Sequence, residues 1–143
     1  MENKALQFDT GVVSYDLNGV IKIQFNPTDT VFIERLFNTF DALDKKQVAY
    51  EDEIKRTADK REIFKIARQR DAEMRQMVDE ALGAPVCDAL FGGLNVYALA
   101  GGLPVWANLL LAVMDEIDTA FAREQKLTDG RIRKYSEKYR HNK

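Results

Sequence analysis

Histidine is almost absent: His141, three positions from the end, is the only one. Cysteine is a single residue, Cys87. One cysteine forms no intrachain disulfide and fits a reducing compartment. With one residue of each type there is no Cys/His cluster for zinc. A Cys87–His141 nucleophile pair would need the chain terminus to be held in place against an apolar segment. A lone cysteine in such a segment reads better as a small core residue. Long apolar runs are missing too. The best one, Val105 to Met114, is cut off by Pro104 and by Asp115-Glu116, far short of the roughly 20 residues a membrane span needs. Met1-Glu2-Asn3-Lys4 leads into polar, strand-like sequence and not into a signal-peptide core. The chain reads as soluble and intracellular.

Other chemistry is equally thin. Asp115, Glu116 and Asp118 share one helical stretch without further ligand types, so a solvated acidic patch is expected. Gly92-Gly93 and Gly101-Gly102 lack the lysine and hydroxyl of a phosphate loop and read as helix stops. No catalytic, cofactor-binding or metal-binding residue is expected, and no cofactor.

What is present is a globular composition. At 143 residues, 45% hydrophobic and 31% charged, the chain suits one domain with its own core. Its net charge of -2 exerts no global pull on nucleic acid. The charge is uneven, however: Lys126 to Lys143 carries +5, which leaves -7 for residues 1–125. The segment from Ala81 to Met114 has one charged residue, Asp88, and holds five of the eight glycines and two of the three prolines. It contains no histidine, lysine, arginine, serine or threonine. Such a segment can bury but cannot catalyse, which points to packing or to a binding surface.

The order of elements follows from punctuation and periodicity. Val12–Asp16 and Val20–Phe25 flank Asn18-Gly19 and predict a hairpin over residues 12–25. A three-residue loop, Leu17-Asn18-Gly19, pairs Tyr15 with Ile21 and Val13 with Ile23, placing Val13, Tyr15, Ile21, Ile23 and Phe25 on one face, with Gly19 left-handed. Asn26 as cap and Pro27 at the first helical position predict a helix over 27–56. No glycine or proline occurs from Thr28 to Leu82. Leu36, Phe40, Leu43, Tyr50 and Ile54 keep a helical spacing that Gln47 interrupts. Phe64, Ala67, Met74, Val78 and Ala81 follow in a different phase, so a second helix covers 61–82. Gly83 caps it and Pro85 prevents its continuation. Short helices are predicted over 85–91 and 95–100, and a long one over 104–125, apolar nearly all round at its start and therefore central. Thr128-Asp129-Gly130 breaks it. The expectation is a mainly α fold with a small N-terminal β-hairpin (α+β): a bundle of about four to five helices in a single domain over 1–126, then a basic, mobile tail over 127–143.

Two aromatic groupings have competing readings. Phe91, Tyr97 and Trp106 suit a ligand-stacking box or, more simply, the core. Tyr135 and Tyr139 interleave with Arg131, Arg133, Lys134, Lys138 and Arg140, the one nucleic-acid-like feature, read against a solvated helix end.

The Asp71–Gly83 helix ending in Ala-Leu-Gly, the element Val86-Cys87-Asp88-Ala89-Leu90-Phe91-Gly92 and the Gly102-Leu103-Pro104-Val105-Trp106 start of the last helix resemble the tail-assembly chaperones of tailed phages (siphophages) and prophages of Gram-positive bacteria. The resemblance spans most of residues 7–125 and lies in packing motifs. It implies a non-enzymatic morphogenesis protein in the cytoplasm of a bacterial host, with no catalytic residues to carry over. It further implies binding of the tape-measure protein, or another phage tail protein, through apolar helices. Two alternatives remain open: a small phage or prophage effector that binds a host defence protein, and a nucleic-acid accessory protein using the basic tail. No membrane partner is expected.

The first helix bears on the partner site. Phe32, Leu36 and Phe40 lie near one line, and Phe37 is displaced by about 100° from Leu36. Both stripes cannot face the core. Phe37, with Val31 or Ile33, is therefore expected to be under-buried and to contact a partner or a second subunit.

Overall fold

The computed structural model describes residues 2–140, the side chains of 128, 129, 131, 132, 135, 136, 139 and 140 excepted. Strands β1 (Val13–Leu17) and β2 (Ile21–Phe25) form the N-terminal hairpin. Helices α1 (Thr30–Arg56) and α2 (Lys60–Leu82) follow, then short α3 (Val86–Phe91), a miniature hairpin of β3 (Leu99–Ala100) and β4 (Leu103–Pro104), and α4 (Val105–Arg140). The mainly α fold with a small β-hairpin is the one the sequence predicts.

The hairpin keeps its expected face but not its expected register. Tyr15 pairs with Ile23 and Val13 with Phe25, two residues away from the sequence expectation. The loop is Asn18-Gly19-Val20, because Asn18 as well as Gly19 adopts a positive φ, 52° and 71°. The Val20 N–H donates to the Leu17 carbonyl at 3.0 Å. The slip brings Leu17 opposite Ile21 and onto the apolar face. An aromatic stack then ties hairpin to helix: Tyr15 lies 4.6 Å from Phe25, Phe25 lies 4.4 Å from Phe32, and Arg35 caps the Phe32 ring. Arg35 also donates to the Ala81 carbonyl in the last turn of α2, satisfying one of that helix's orphan acceptors.

Helix α1 begins at Thr30 rather than residue 27. The Asn26 side chain is spent elsewhere, accepting from the Thr28 N–H and hydroxyl and donating to the Thr10 carbonyl. Asp29 is the cap, accepting from the Val31 N–H. The change of phase near residue 57 is a real break, and Asp59 caps α2 through the Arg61 N–H. Gly83 ends α2 in the left-handed conformation, as expected.

Three further expectations are corrected. Residues 95–100 form no helix. The Val96 and Ala98 carbonyls, which a helix would pair within the segment, accept instead from the Trp106 and Val105 N–H groups at 3.3 and 2.8 Å, and Leu99–Ala100 pairs with Leu103–Pro104. Gly101 and Gly102, both with positive φ, turn the chain into the β3–β4 hairpin and are not a helix stop. Helix α4 also runs to Arg140, straight across Thr128-Asp129-Gly130. One helical glycine costs only about 1 kcal/mol, and Gly130 does not take a positive φ.

The core lies between α1, α2, α3 and the first half of α4. Leu36, Leu43, Met74, Val78, Val86, Cys87, Val96, Trp106 and Leu110 are its most deeply buried members. Helix α4 contributes buried residues from Trp106 to Ala120, and every described side chain beyond Ala120 is exposed. Its first half is thus central and its second half projects.

Candidate functional site

The sparse chemical groups serve structure. Cys87 is fully buried; its N–H donates to Asp79 and its thiol to the Arg75 carbonyl. Burial pushes the thiol pKa up, and the Asp79 carboxylate beside it adds to the rise. His141 lies outside the described residues. In the acidic group of α4, Glu116 accepts from the Tyr15 hydroxyl at 3.1 Å and sits 3.8 Å from Arg123, which pins the hairpin to the helix. Burial, then that bond, raises the Tyr15 pKa. Among the described residues no cluster of three or more His, Cys, Asp or Glu is placed to hold a metal ion. No helix there is long and apolar enough to cross a membrane.

The aromatic trio does not form a box. Trp106 packs on Phe40 with ring centres 5.5 Å apart, and Tyr97 stacks on Tyr50 at 4.0 Å; both belong to the core. Phe91 alone faces a cavity.

The expected partner residues are only partly brought together. Val31 is 72% exposed and Phe37 53% exposed, while Ile33 is half-buried against the core. Val31 lines a shallow depression between α1 and α2 with Glu34, Arg35, Asn38 and Met77. Phe37 does not line it, because six residues along a helix place the two on opposite flanks. Of the basic residues, Arg133, Lys134 and Lys138 are exposed on the projecting half of α4. The side chains of Arg131, Arg140, Tyr135 and Tyr139 lie outside the described residues.

A second concavity with an apolar lining lies elsewhere. A groove of about 450 Å³ opens between the β1–β2 loop, α3 and the start of α4. Leu17, Leu90, Phe91, Val105, Leu109 and Ala112 line it, with Asn18, Asn108 and a single charged residue, Asp16. Val105, Asn108, Leu109 and Ala112 follow the spacing of one helical stripe. The turn at Asn18-Gly19 and the register of the hairpin deliver Leu17 to the opposite wall. Leu94, Leu99 and Leu103, in the segment joining α3 to α4, are exposed as well.

One arginine holds the α3 wall in place. Arg75 on α2 donates to the Gly92 and Leu94 carbonyls at 2.8 and 2.6 Å, to Asp88 at 2.8 Å and to Asp71 at 3.0 Å. Its planar fork satisfies four acceptors at once, and Asp71 in turn holds the Val96 N–H. The glycine-rich turn after Phe91 is thereby fixed to α2.

The groove has the size and largely apolar lining of a binding site, and Asp16 is the one ionisable side chain that lines it. The sequence points to residues 81–114 as packing or binding surface, whereas the partner residues expected from it, Val31, Ile33 and Phe37, lie on α1. The helical stripe at 105, 108, 109 and 112 is the sequence signal for this groove. Comparisons with protein-family models, with curated proteins and with solved structures find no match for this chain.

Proposed function

We propose that this chain is a non-enzymatic phage morphogenesis protein of the tail-assembly chaperone type, which binds apolar helices of the tape-measure protein while the tail is built. The groove lined by Leu17, Leu90, Phe91, Val105, Leu109 and Ala112 is the observation that carries the reading. An amphipathic helix binds by laying an apolar stripe into such a groove, with anchors three or four residues apart. Nearly uncharged walls suit an apolar client that would otherwise aggregate. The exposed Phe37 offers a second apolar contact on another flank of the molecule. The packing motifs that resemble the chaperone family include two walls of this groove, α3 and the start of α4.

Co-purification with the tape-measure protein of the same phage tests the reading. Wild type retains the tape measure, and Ala112→Arg, which puts a long cation into the groove from an exposed helical position, loses it. Equal retention by both proteins, or none by either, would refute a groove-bound client.

A further inference from the structure

Seven asparagines occur in the chain, and only Asn18 is followed by glycine. Asn26, Asn95 and Asn108 are tied down through their side-chain amides, which donate to the Thr10, Ala67 and Ala100 carbonyls. Asn18 and Gly19 are instead both exposed at the tip of the first hairpin. Open space lies where a Gly19 side chain would stand, with no atom within 4 Å of that position. The turn is closed by the bond from the Val20 N–H to the Leu17 carbonyl, at the end of a two-stranded sheet. Such ends open locally at little cost. Asn18 also lines the groove, on the same wall as Asp16 and Leu17.

We propose that Asn18 is a self-modifying residue of the groove, which deamidates through attack by the Gly19 backbone nitrogen and leaves a second carboxylate beside Asp16. The Gly19 nitrogen loses its proton and bonds to the side-chain carbon Cγ of Asn18. The Cγ–Nδ2 bond breaks, and ammonia leaves with that proton. The resulting succinimide takes up one water, which opens the ring at either carbonyl. Opening at Cγ gives aspartate, and opening at the backbone carbonyl gives isoaspartate. No oxidant or reductant enters. Glycine decides the site, because a β-carbon on the following residue crowds the attack. Thr39, Val96 and Leu109 follow other asparagines, and Pro27 after Asn26 has no N–H to lose. The two products act differently. Aspartate tolerates the left-handed conformation that Asn18 holds, φ 52°, so it keeps the turn and adds charge. Isoaspartate also adds a methylene to the main chain between Leu17 and Val20, which breaks the turn that delivers Leu17 to the groove wall. A carboxylate is costly to desolvate beside apolar chain, so either product weakens the grip on an apolar client. That consequence rests on the groove as the client site; the deamidation itself does not.

Peptide mapping of the full chain after incubation at mildly alkaline pH tests this. Trypsin, cutting after Lys4 and Lys22, yields the peptide Ala5–Lys22, in which Asn18 is the only asparagine. That peptide should gain the mass of an amide-to-acid exchange and elute as two products. The gain should quicken as pH rises, because the attacking nitrogen must lose its proton. The peptide Leu36–Lys45, with exposed Asn38 before Thr39, is the internal control and should stay unchanged over the same time. Asn18→Gln should abolish the gain, since the longer side chain closes its ring far more slowly. The comparison of the two wild-type peptides needs no variant and stands even if Asn18→Gln disturbs the turn. No gain, equal rates in the two peptides, or a gain that survives Asn18→Gln would overturn the proposal. Asn18→Asp carries the product charge from the start and should retain less tape-measure protein than fresh wild type; equal retention would overturn the effect on the groove. A fresh wild type that retains none would refute the chaperone reading and leave the mass gain to decide the modification.

Discussion

The indole N–H of Trp106, at the start of α4, donates to the side-chain oxygen of Gln47 on α1 at 3.0 Å. This bond explains the one polar interruption in the apolar stripe of α1. Trp106 is almost wholly buried, and a buried donor without an acceptor costs about 1–3 kcal/mol. Gln47→Leu should therefore destabilise the protein by about that amount, although leucine is the better core residue. Urea unfolding measures it, and a neutral or stabilising effect would show the bond to be dispensable.

The two flanks of α1 should respond differently. Leu36 is fully buried and Phe40 packs on Trp106, whereas Phe37 is half exposed. Leu36→Ser or Phe40→Ser should cost about 3–5 kcal/mol, the scale for removing a large buried side chain. Phe37→Ser should leave the thermal midpoint nearly unchanged. If Phe37→Ser unfolds the chain and Phe40→Ser does not, the core face has been assigned wrongly.

Arg75 should matter through its geometry and not only through its charge. Arg75→Ala frees the Gly92 and Leu94 carbonyls and removes a partner from Asp71 and Asp88. A loss of about 1.5–3 kcal/mol is expected, the range for hydrogen bonds to charged groups. Lysine cannot reproduce a planar fork, so Arg75→Lys should recover little of it. Amide exchange should quicken at Val96, whose N–H Asp71 holds. Full recovery by lysine would reduce Arg75 to a simple counter-charge.

Alkaline pH should weaken the fold. Burial raises the pKa of Cys87 and of Tyr97 in the folded chain. In the unfolded chain they ionise near about 8.5 and about 10. A raised folded pKa gives stability that is complete below the unfolded value and is lost as pH climbs above it. The thermal midpoint should fall as pH rises past about 8.5 and fall faster past about 10, where the unfolded thiol and then the unfolded phenol ionise. Cys87 should react with a thiol reagent rapidly only after denaturation. Fast labelling of the native protein would contradict its burial.

Much of the fold is legible locally, and what is not depends on distant partners. The α1–α2 break follows from a phase change in the apolar stripe, and Gly83 marks its own left-handed cap. The hairpin's buried face follows from alternation, but a slip of two residues preserves that face, so Asn18's positive φ decides the register. Residues 95–100 resemble a short helix until the carbonyls of Val96 and Ala98 accept from Trp106 and Val105 on the far side of the Gly101-Gly102 turn. The groove divides in the same way. Its wall at Val105, Asn108, Leu109 and Ala112 is a readable helical stripe. That this stripe stays open is set by where the hairpin loop and α3 stand, which no local pattern encodes.

Co-expression with the tape-measure protein tests the central claim most directly, with the soluble fraction of that partner as the readout. The account predicts that the tape measure is largely insoluble alone, soluble with the wild-type chain, and insoluble again with the folded Ala112→Arg variant. A tape measure that stays insoluble beside the wild-type chain, or that Ala112→Arg solubilises equally well, would contradict it.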